Sequence, residues 1–153
     1  MQRLSGMDAS FLYTETPTGH MHVTGVIVAD ATTMAGGYDF ERIKDLLRAR
    51  LHVMPMFRRR IAEVPFSLDH PVWIEDPDFD LDYHIRHIAV PPPGSKEQLA
   101  DLSARIAARH LDRSHPLWEM YIIEGVEGGG LAVLTKIHHA CIDGVAGAEI
   151  LGL

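Results

Sequence analysis

Two apolar segments separated by a run of glycines constrain the fold of this chain more than any other feature. Residues 118–125 and 131–137 are rich in the β-branched and aromatic residues that favour strands. Residues 128–130 are all glycine and suit the turn of a hairpin. A chain of 153 residues is long enough for one domain with its own core. We therefore expect an antiparallel hairpin within a single domain that contains a sheet.

Other segments predict further strands and two amphipathic helices. Apolar residues recur at helical spacing over residues 40–51, and Asp39 is placed to cap the start of that helix. Ser95 and Gln98 form a capping box at the start of the second helix. We expect a buried strand over residues 21–30, short extended segments over 55–65 and 71–77, and a half-exposed strand over 80–90. The mixed order indicates an α/β fold in which helices cover a mixed β-sheet.

Composition and charge exclude several classes of protein. Apolar residues make up 46% and charged residues 23% of the chain, which is typical of a globular domain and not of a disordered one. The net charge of −7 predicts no nucleic-acid partner. The run Arg58 to Arg60 is expected to be a solvated strand or loop. We expect no secretion leader and no membrane-spanning segment, hence a cytoplasmic protein with at most peripheral membrane contact.

The segment "TKIHHACIDGVAG" (residues 135–147) combines residue types that carry chemistry. Side chains alternate along a strand, so His138 and His139 point to opposite faces and have different roles. An imidazole suits a general base near neutral pH. Asp143 could cap the following helix or pair with an arginine and thereby stiffen the loop, and Gly144 leaves room for a ligand. The pattern suits proton abstraction from a hydroxyl group.

A zinc site and a cysteine nucleophile are the two other interpretations of this segment. A zinc site needs three or four ligands, and no third ligand lies at useful spacing from the histidines, so we expect no metal. Cys141 could act as a nucleophile, although a small packing residue is the favoured interpretation. Leu117 and Trp118 are expected to anchor a strand in the core. His20 and His22 are expected to be structural or tunnel-lining residues. Four further histidines are expected to be surface or packing residues: His84, His87, His110 and His115.

Three motifs in order along the chain resemble one enzyme family. His138, His139, Asp143 and Gly144 match the HHxxxDG motif of the CoA-dependent acyltransferase superfamily, which is similar in fold to chloramphenicol acetyltransferase. The opening "LSGMDASFLYTE" (residues 4–15) with "MHVTG" (21–25), and "PLWE" (116–119), narrow the resemblance to the bacterial wax ester synthase/diacylglycerol acyltransferase family.

This resemblance implies transfer of a long-chain acyl group from the co-substrate acyl-CoA to diacylglycerol or a fatty alcohol, with no bound cofactor. His139 would be the general base that deprotonates the acceptor hydroxyl, which then attacks the thioester directly. His138 would be supporting, Asp143 would orient the loop, and Gly144 would keep the acyl channel open.

Members of the family are much longer than this chain and have two similar lobes. Residues 1–153 are accordingly expected to be the N-terminal lobe, which lacks its C-terminal lobe, has little activity alone and tends to self-associate. The substrates imply contact with a membrane or lipid body. Two alternatives stay open: a condensation domain that takes acyl groups from a carrier protein, and a non-catalytic scaffold lobe.

Overall fold

The computed structural model of the chain describes residues 1–142, which form two β-sheets with helices packed against them. The strands are β1 (Gln2–Arg3), β2 (His22–Asp30), β3 (Arg59–Ala62), β4 (Val72–Glu75), β5 (Ile85–Ala89), β6 (Trp118–Val126) and β7 (Gly130–His138). The helices are α1 (Gly6–Thr14), α2 (Phe40–Arg50), α3 (Leu81–His84) and α4 (Lys96–Ala107). The larger sheet has the order β2-β7-β6-β5 and the smaller one β1-β4-β3. Only the β5–β6 pair is parallel among these strands, so the predicted α/β fold with a mixed sheet is confirmed.

The predicted hairpin is the centre of the larger sheet. Strands β6 and β7 are antiparallel, and Trp118 lies opposite Ile137. The two sides of β7 enter different parts of the core: Leu134 packs on the side of α4, whereas Leu131 and Ile137 pack on the side of α2. The alternation predicted for this strand is therefore confirmed up to its last residue, His138.

Helix α4 provides the crossover that two parallel strands require. It starts at the predicted capping box: the Gln98 N–H donates to Ser95 Oγ at 3.3 Å, and the Ser95 N–H donates to Gln98 Oε1 at 2.9 Å. Leu99 and Ile106 are buried against the sheet. The helix thus covers one face of the hairpin.

Gly94, just before α4, approaches the end of β6 more closely than any side chain allows. A Cβ atom at this position would lie 1.8 Å from the carbonyl oxygen of Gly125. Its φ of +76° is also a conformation that favours glycine. Gly128, in the hairpin turn, has the same φ but open space around it.

Helix α2 covers the other face of the larger sheet. Asp39 caps it as predicted, since its carboxylate accepts two backbone N–H groups of the first turn at 2.9 and 3.3 Å. Ile43 and Leu47 pack against the cluster around Trp118. Leu46 is 58% exposed, so the buried stripe of the helix is narrower than the apolar pattern predicts.

Strand β2 forms at the predicted place, but the prediction that it is buried is wrong. It is an edge strand that pairs with β7, and within residues 1–142 no strand pairs with its other side. Ile27 and Val28 are 50% and 56% exposed. β-Branched residues favour the extended backbone whether or not it is covered, so the composition of the segment did not reveal its position in the sheet.

The strand predicted over residues 80–90 begins later than expected. The Asp80 carboxylate accepts the Asp82 N–H at 2.9 Å and caps the short helix α3, and β5 begins only at Ile85. A local aspartate cap competes with the strand conformation and explains the difference.

The proline-bounded segments contribute β3 and β4 of the smaller sheet. The extended conformation predicted over residues 55–65 holds only for β3, because Pro55–Arg58 forms a 3-10 turn. Arg58 is exposed, whereas Arg59 and Arg60 are half-buried, with Glu75 at 3.8 Å and Asp76 at 3.6 Å from their respective guanidinium groups. Within residues 1–142, no helix is both long and apolar enough to span a bilayer.

Lys136 and His84 are among the ionisable side chains that are buried in the core. Lys136 is wholly buried, and its Nζ donates to the carbonyl oxygens of Ile106 and Arg109 at the end of α4, with Glu119 Oε2 3.9 Å away. His84 is stacked on Trp118 at 4.5 Å, and its Nδ1–H donates to the Trp118 carbonyl at 2.8 Å.

The surroundings of His84 favour the neutral ring. Burial lowers its pKa, and the nearby His115 lowers it further. The hydrogen bond to Trp118 and the charges of Glu119 and Asp76 act in the opposite direction and do not cancel the effect. His84 is therefore a buried packing residue, one of the roles that the sequence suggested for it.

Candidate active site

The paired histidines lie at the end of β7, the second strand of the hairpin. Strand β7 stops at His138, and a 3-10 turn, His139–Cys141, follows it. The Ala140 N–H donates to His138 Nδ1 at 3.1 Å, so the His138 side chain caps the turn. Because Nδ1 accepts this bond, the proton of the neutral ring is on Nε2.

His138 is buried, with 1% of its surface exposed. Its Nε2 points toward Glu15 Oε1 at 3.7 Å. Burial lowers the pKa of His138 to about 4, although the Glu15 carboxylate acts in the opposite direction. The ring is therefore neutral near pH 7, and it is held by the turn on one side and faces a carboxylate on the other.

Glu15 connects three parts of the site and was missed by the sequence reasoning. Its carboxylate accepts the Met21 N–H at 3.2 Å and a bond from Arg113 Nη2 at 2.8 Å. Burial tends to raise the pKa of Glu15, but the bonds from Arg113 and Met21 hold it below its ordinary value. The only sequence feature that pointed to Glu15 was its position in the segment 4–15, which resembles the opening of the family. A buried, ionised carboxylate thus lies beneath the histidine pair.

His139 differs from His138 in its burial and in the hydrogen bonds of its ring. It is only partly buried, and its ring stacks on Phe11 of α1 with the centroids 4.9 Å apart. Its backbone N–H donates to the Met21 carbonyl at 2.8 Å, which fixes the position of the turn. Within residues 1–142, its ring nitrogens have no hydrogen-bond partner. The imidazole is therefore positioned by its backbone and by Phe11 and can meet a ligand.

The other predicted members of the motif, Asp143 and Gly144, lie outside the described residues. Their roles in orienting the loop and in keeping the channel open remain predictions.

Cys141 is a packing residue, in agreement with the favoured interpretation. It contacts two of the apolar core clusters, and burial raises the pKa of its thiol to about 12. A thiol with so high a pKa supplies very little of the thiolate that a nucleophile needs. Leu117 and Trp118 are buried as predicted, and Trp118 Nε1 donates to the Phe57 carbonyl at 2.8 Å.

Two cavities adjoin this region. One, of about 560 Å³, has Ala140 and Cys141 of the turn in its wall, together with Trp73 and Met56. The other, of about 250 Å³, is apolar and lies between α2 and the larger sheet, with Trp118 in its lining. The histidine turn thus has open space beside it.

The fold defines the class of the protein. The first condensation domain of the calcium-dependent antibiotic synthetase superposes with a TM-score of 0.75 at 18% identity, over 97% of this chain and 35% of that chain. At this level of identity the likeness shows the fold alone. The chain therefore has the fold of about a third of a condensation domain, a fold similar to that of chloramphenicol acetyltransferase, as expected.

The sequence then identifies the family. Residues 4–152 match the family model of the wax ester synthase/diacylglycerol acyltransferase catalytic domain. The chain belongs to this family, and the resemblance inferred from the motifs is confirmed.

Relatives and a solved structure agree with this assignment. A putative diacylglycerol O-acyltransferase of Mycobacterium tuberculosis is 45% identical over 152 residues, which are 99% of this chain and 30% of the relative. A probable diacylglycerol O-acyltransferase of the same species is 45% identical over 148 residues, 97% of this chain and 54% of the relative. The wax ester synthase/diacylglycerol acyltransferase of Marinobacter aquaeolei VT8 superposes with a TM-score of 0.82 at 31% identity, over 98% of this chain and 37% of that one. The chain thus spans between about a third and a half of these proteins.

Proposed function

We propose that the protein transfers a long-chain acyl group from acyl-CoA to the hydroxyl group of diacylglycerol or a fatty alcohol, with His139 as the general base. Membership of the acyltransferase family supports the reaction class. The observation that carries the assignment of the base is the contrast between the two histidines. His138 is enclosed, with its Nδ1 engaged, whereas His139 is partly exposed and its ring nitrogens are free of hydrogen bonds within residues 1–142.

In the proposed reaction, the His139 imidazole accepts the proton of the acceptor hydroxyl as its oxygen attacks the thioester carbonyl. The tetrahedral intermediate then collapses, and the C–S bond breaks. The imidazolium returns the proton to the departing CoA thiolate, so the products are an ester and CoA. Proton transfer of this kind contributes roughly 10²–10⁴-fold to a rate. Because the raised pKa of the Cys141 thiol makes it a poor nucleophile, we propose direct attack without a cysteine acyl-enzyme.

The partial coverage of the relatives supports a second element of the proposal. We propose that residues 1–153 are the N-terminal lobe, that turnover requires the C-terminal lobe, and that this lobe alone has little activity. The exposed apolar side chains of β2, with Val23, Val26, Ile27 and Val28 each at least 42% exposed, support the expected self-association of the isolated lobe. Contact with a membrane or lipid body follows from the proposed substrates, and we propose it as peripheral.

Because the fold is similar to that of condensation domains, the experiment must also test a condensation enzyme as the second candidate function. A condensation enzyme would take the acyl group from a carrier protein, and a scaffold lobe would take none. The net charge of −7 disfavours docking of an acidic carrier protein because like charges repel at contact.

The test uses the complete two-lobed protein with a radiolabelled acyl-CoA and diacylglycerol or a fatty alcohol. We expect ester formation, a loss of roughly 10²–10⁴-fold for His139→Ala, and nearly unchanged activity for His52→Ala, which replaces an exposed histidine. Activity that survives His139→Ala would reject the base. Activity only with acyl groups on a carrier protein would favour the condensation enzyme, and no activity with either donor would favour the scaffold.

A further inference from the structure

Three side chains beside the histidine pair converge in a way that the acyltransferase reaction does not use. Glu15 follows the end of α1, His20 precedes β2, and His110 follows α4. The potential ligand atoms of these three residues all lie within 4.8 Å of one another. Segments far apart in sequence thus bring two imidazoles and a carboxylate to one point.

The hydrogen bonds of the two histidines fix which nitrogen is available. His20 Nε2–H donates to the Ala108 carbonyl at 2.9 Å, and His110 Nε2–H donates to the Pro17 carbonyl at 3.0 Å. A carbonyl can only accept, so each neutral ring carries its proton on Nε2 and has a lone pair on Nδ1. Imidazoles that bind metals are held in the same way, with the second nitrogen bonded to a carbonyl or carboxylate.

The Nδ1 atom of His20 lacks any other role within residues 1–142. It is inaccessible to solvent and has no hydrogen-bond partner there. A buried polar atom without a partner costs free energy, and a bound ion would satisfy this one. The bond from Nε2 also satisfies a carbonyl beyond the end of α4, but that bond leaves Nδ1 unexplained.

Glu15 has an oxygen directed to the same point. Arg113 bonds its Oε2 at 2.8 Å, whereas His110 Nδ1 lies 4.0 Å from Oε1. Oε1 accepts one backbone N–H, from Met21, and retains a lone pair. The side chain of His110 is 45% exposed, so an ion can reach the cluster from solvent.

We infer that Glu15, His20 and His110 bind a divalent transition-metal ion, with Zn²⁺ the expected ion. Two imidazole nitrogens and one carboxylate oxygen form a donor set that zinc uses, with a fourth position for water. Ligand atoms around a tetrahedral zinc ion lie about 3.4 Å apart, so small rotations of the three side chains would close the site. The ion would join three segments of the chain and hold Glu15 opposite His138.

This site lies apart from His138 and His139, for which the sequence predicts no metal because no third ligand lies at useful spacing along the chain. The three residues proposed here are 5 to 95 positions apart and meet only in the folded chain.

Calorimetric titration of the protein with ZnCl₂, after treatment with EDTA, tests the inference. We expect one equivalent to bind to the unaltered protein and to His52→Ala, which removes an exposed histidine elsewhere. His20→Ala and His110→Ala should each weaken binding at least tenfold, because loss of groups that merely orient ligands already costs 10–100-fold. Equal binding by all four proteins would show adventitious zinc and overturn the inference, as would no binding.

A second measurement does not depend on the variants folding. Crystals of the unaltered protein grown with ZnCl₂ should show an anomalous peak at the zinc edge about 2.0–2.2 Å from Glu15 Oε1 and the two Nδ1 atoms. A zinc-loaded crystal without that peak would overturn the inference. Both readouts are independent of acyl transfer, so they can fail while the proposed reaction holds, and the reverse.

Discussion

Replacing Lys136 by methionine removes the charge of the most deeply buried lysine while keeping a side chain of similar length. The Lys136 Nζ donates to the carbonyls of Ile106 and Arg109, and it lies 3.9 Å from Glu119 Oε2. With methionine in its place, the Arg109 carbonyl loses its donor, whereas the Ile106 carbonyl keeps the backbone N–H of Arg109 at 3.2 Å. A buried carboxylate, Glu119, also loses its nearest buried cation.

The expected loss follows from these three groups. The Arg109 carbonyl is left without this donor, which costs about 1–3 kcal/mol, whereas the Ile106 carbonyl stays bonded. Glu119 keeps a hydrogen bond from Tyr121 at 2.9 Å and the distant Arg86 at 3.9 Å, so its penalty is reduced. Burial of the apolar methionine side chain offsets part of this loss of unfolding free energy. We expect a net loss of about 3–5 kcal/mol, the usual cost of breaking a buried ion pair from one side.

Urea unfolding, followed by the fluorescence of Trp73 and Trp118, measures this loss. Lys96→Met, which alters an exposed lysine at the start of α4, is the matched control and should change the unfolding free energy by less than about 0.5 kcal/mol. Adding Glu119→Gln to Lys136→Met should cost less than the sum of the single changes, because the amide leaves no unpaired charge. A loss below about 1 kcal/mol for Lys136→Met would refute this account of the buried pair.

Two further predictions concern pH and backbone conformation. Burial lowers the pKa of His84, so the unfolded chain binds its proton first as the pH falls below about 6.5, and the unfolding free energy decreases. His84→Phe should therefore flatten the decrease between pH 7 and pH 5 in urea titrations, whereas His52→Ala should keep it; equal slopes would contradict the role of burial. Gly94→Ala should destabilise the protein by at least about 2 kcal/mol, since it combines a positive φ with a clash against Gly125. Gly128→Ala has the φ penalty alone, and thermal unfolding should show a smaller loss; similar losses would argue against the clash.

Local signals in the sequence predicted the elements of the fold well. The Asp39 cap, the Ser95–Gln98 capping box and the glycine turn each depend on residues close together in the chain, and each forms as predicted. The predictions of burial failed where burial depends on which residues lie nearby in the folded chain. Whether Ile27 is covered depends on what lies beside β2, and no local pattern carries that information.

The candidate site shows the same division. The motif with His138 and His139 is local, and together with the segments 4–15, 21–25 and 116–119 it was sufficient to indicate the family. The alternation along the strand also predicted different surroundings for the two rings, as the structure shows. Glu15 and Arg113 were not indicated, because their pairing joins positions about a hundred residues apart. Strand alternation puts Lys136 on the same face of β7 as Leu134, but only the fold shows that this face meets the end of α4.

The pairing of β2 with β7 has a consequence for the order of folding. The hairpin of β6 and β7 closes a loop of a few residues, whereas His22 meets His138 across more than two thirds of the chain. Closing a long loop loses more chain entropy and is slow, so we expect the hairpin to form first and the edge strand to dock onto it afterwards. Met21, whose carbonyl holds the His139 backbone, arrives with that strand. The geometry around His139 is therefore completed in a late step of folding, and substitutions in β2 should speed unfolding more than they slow folding.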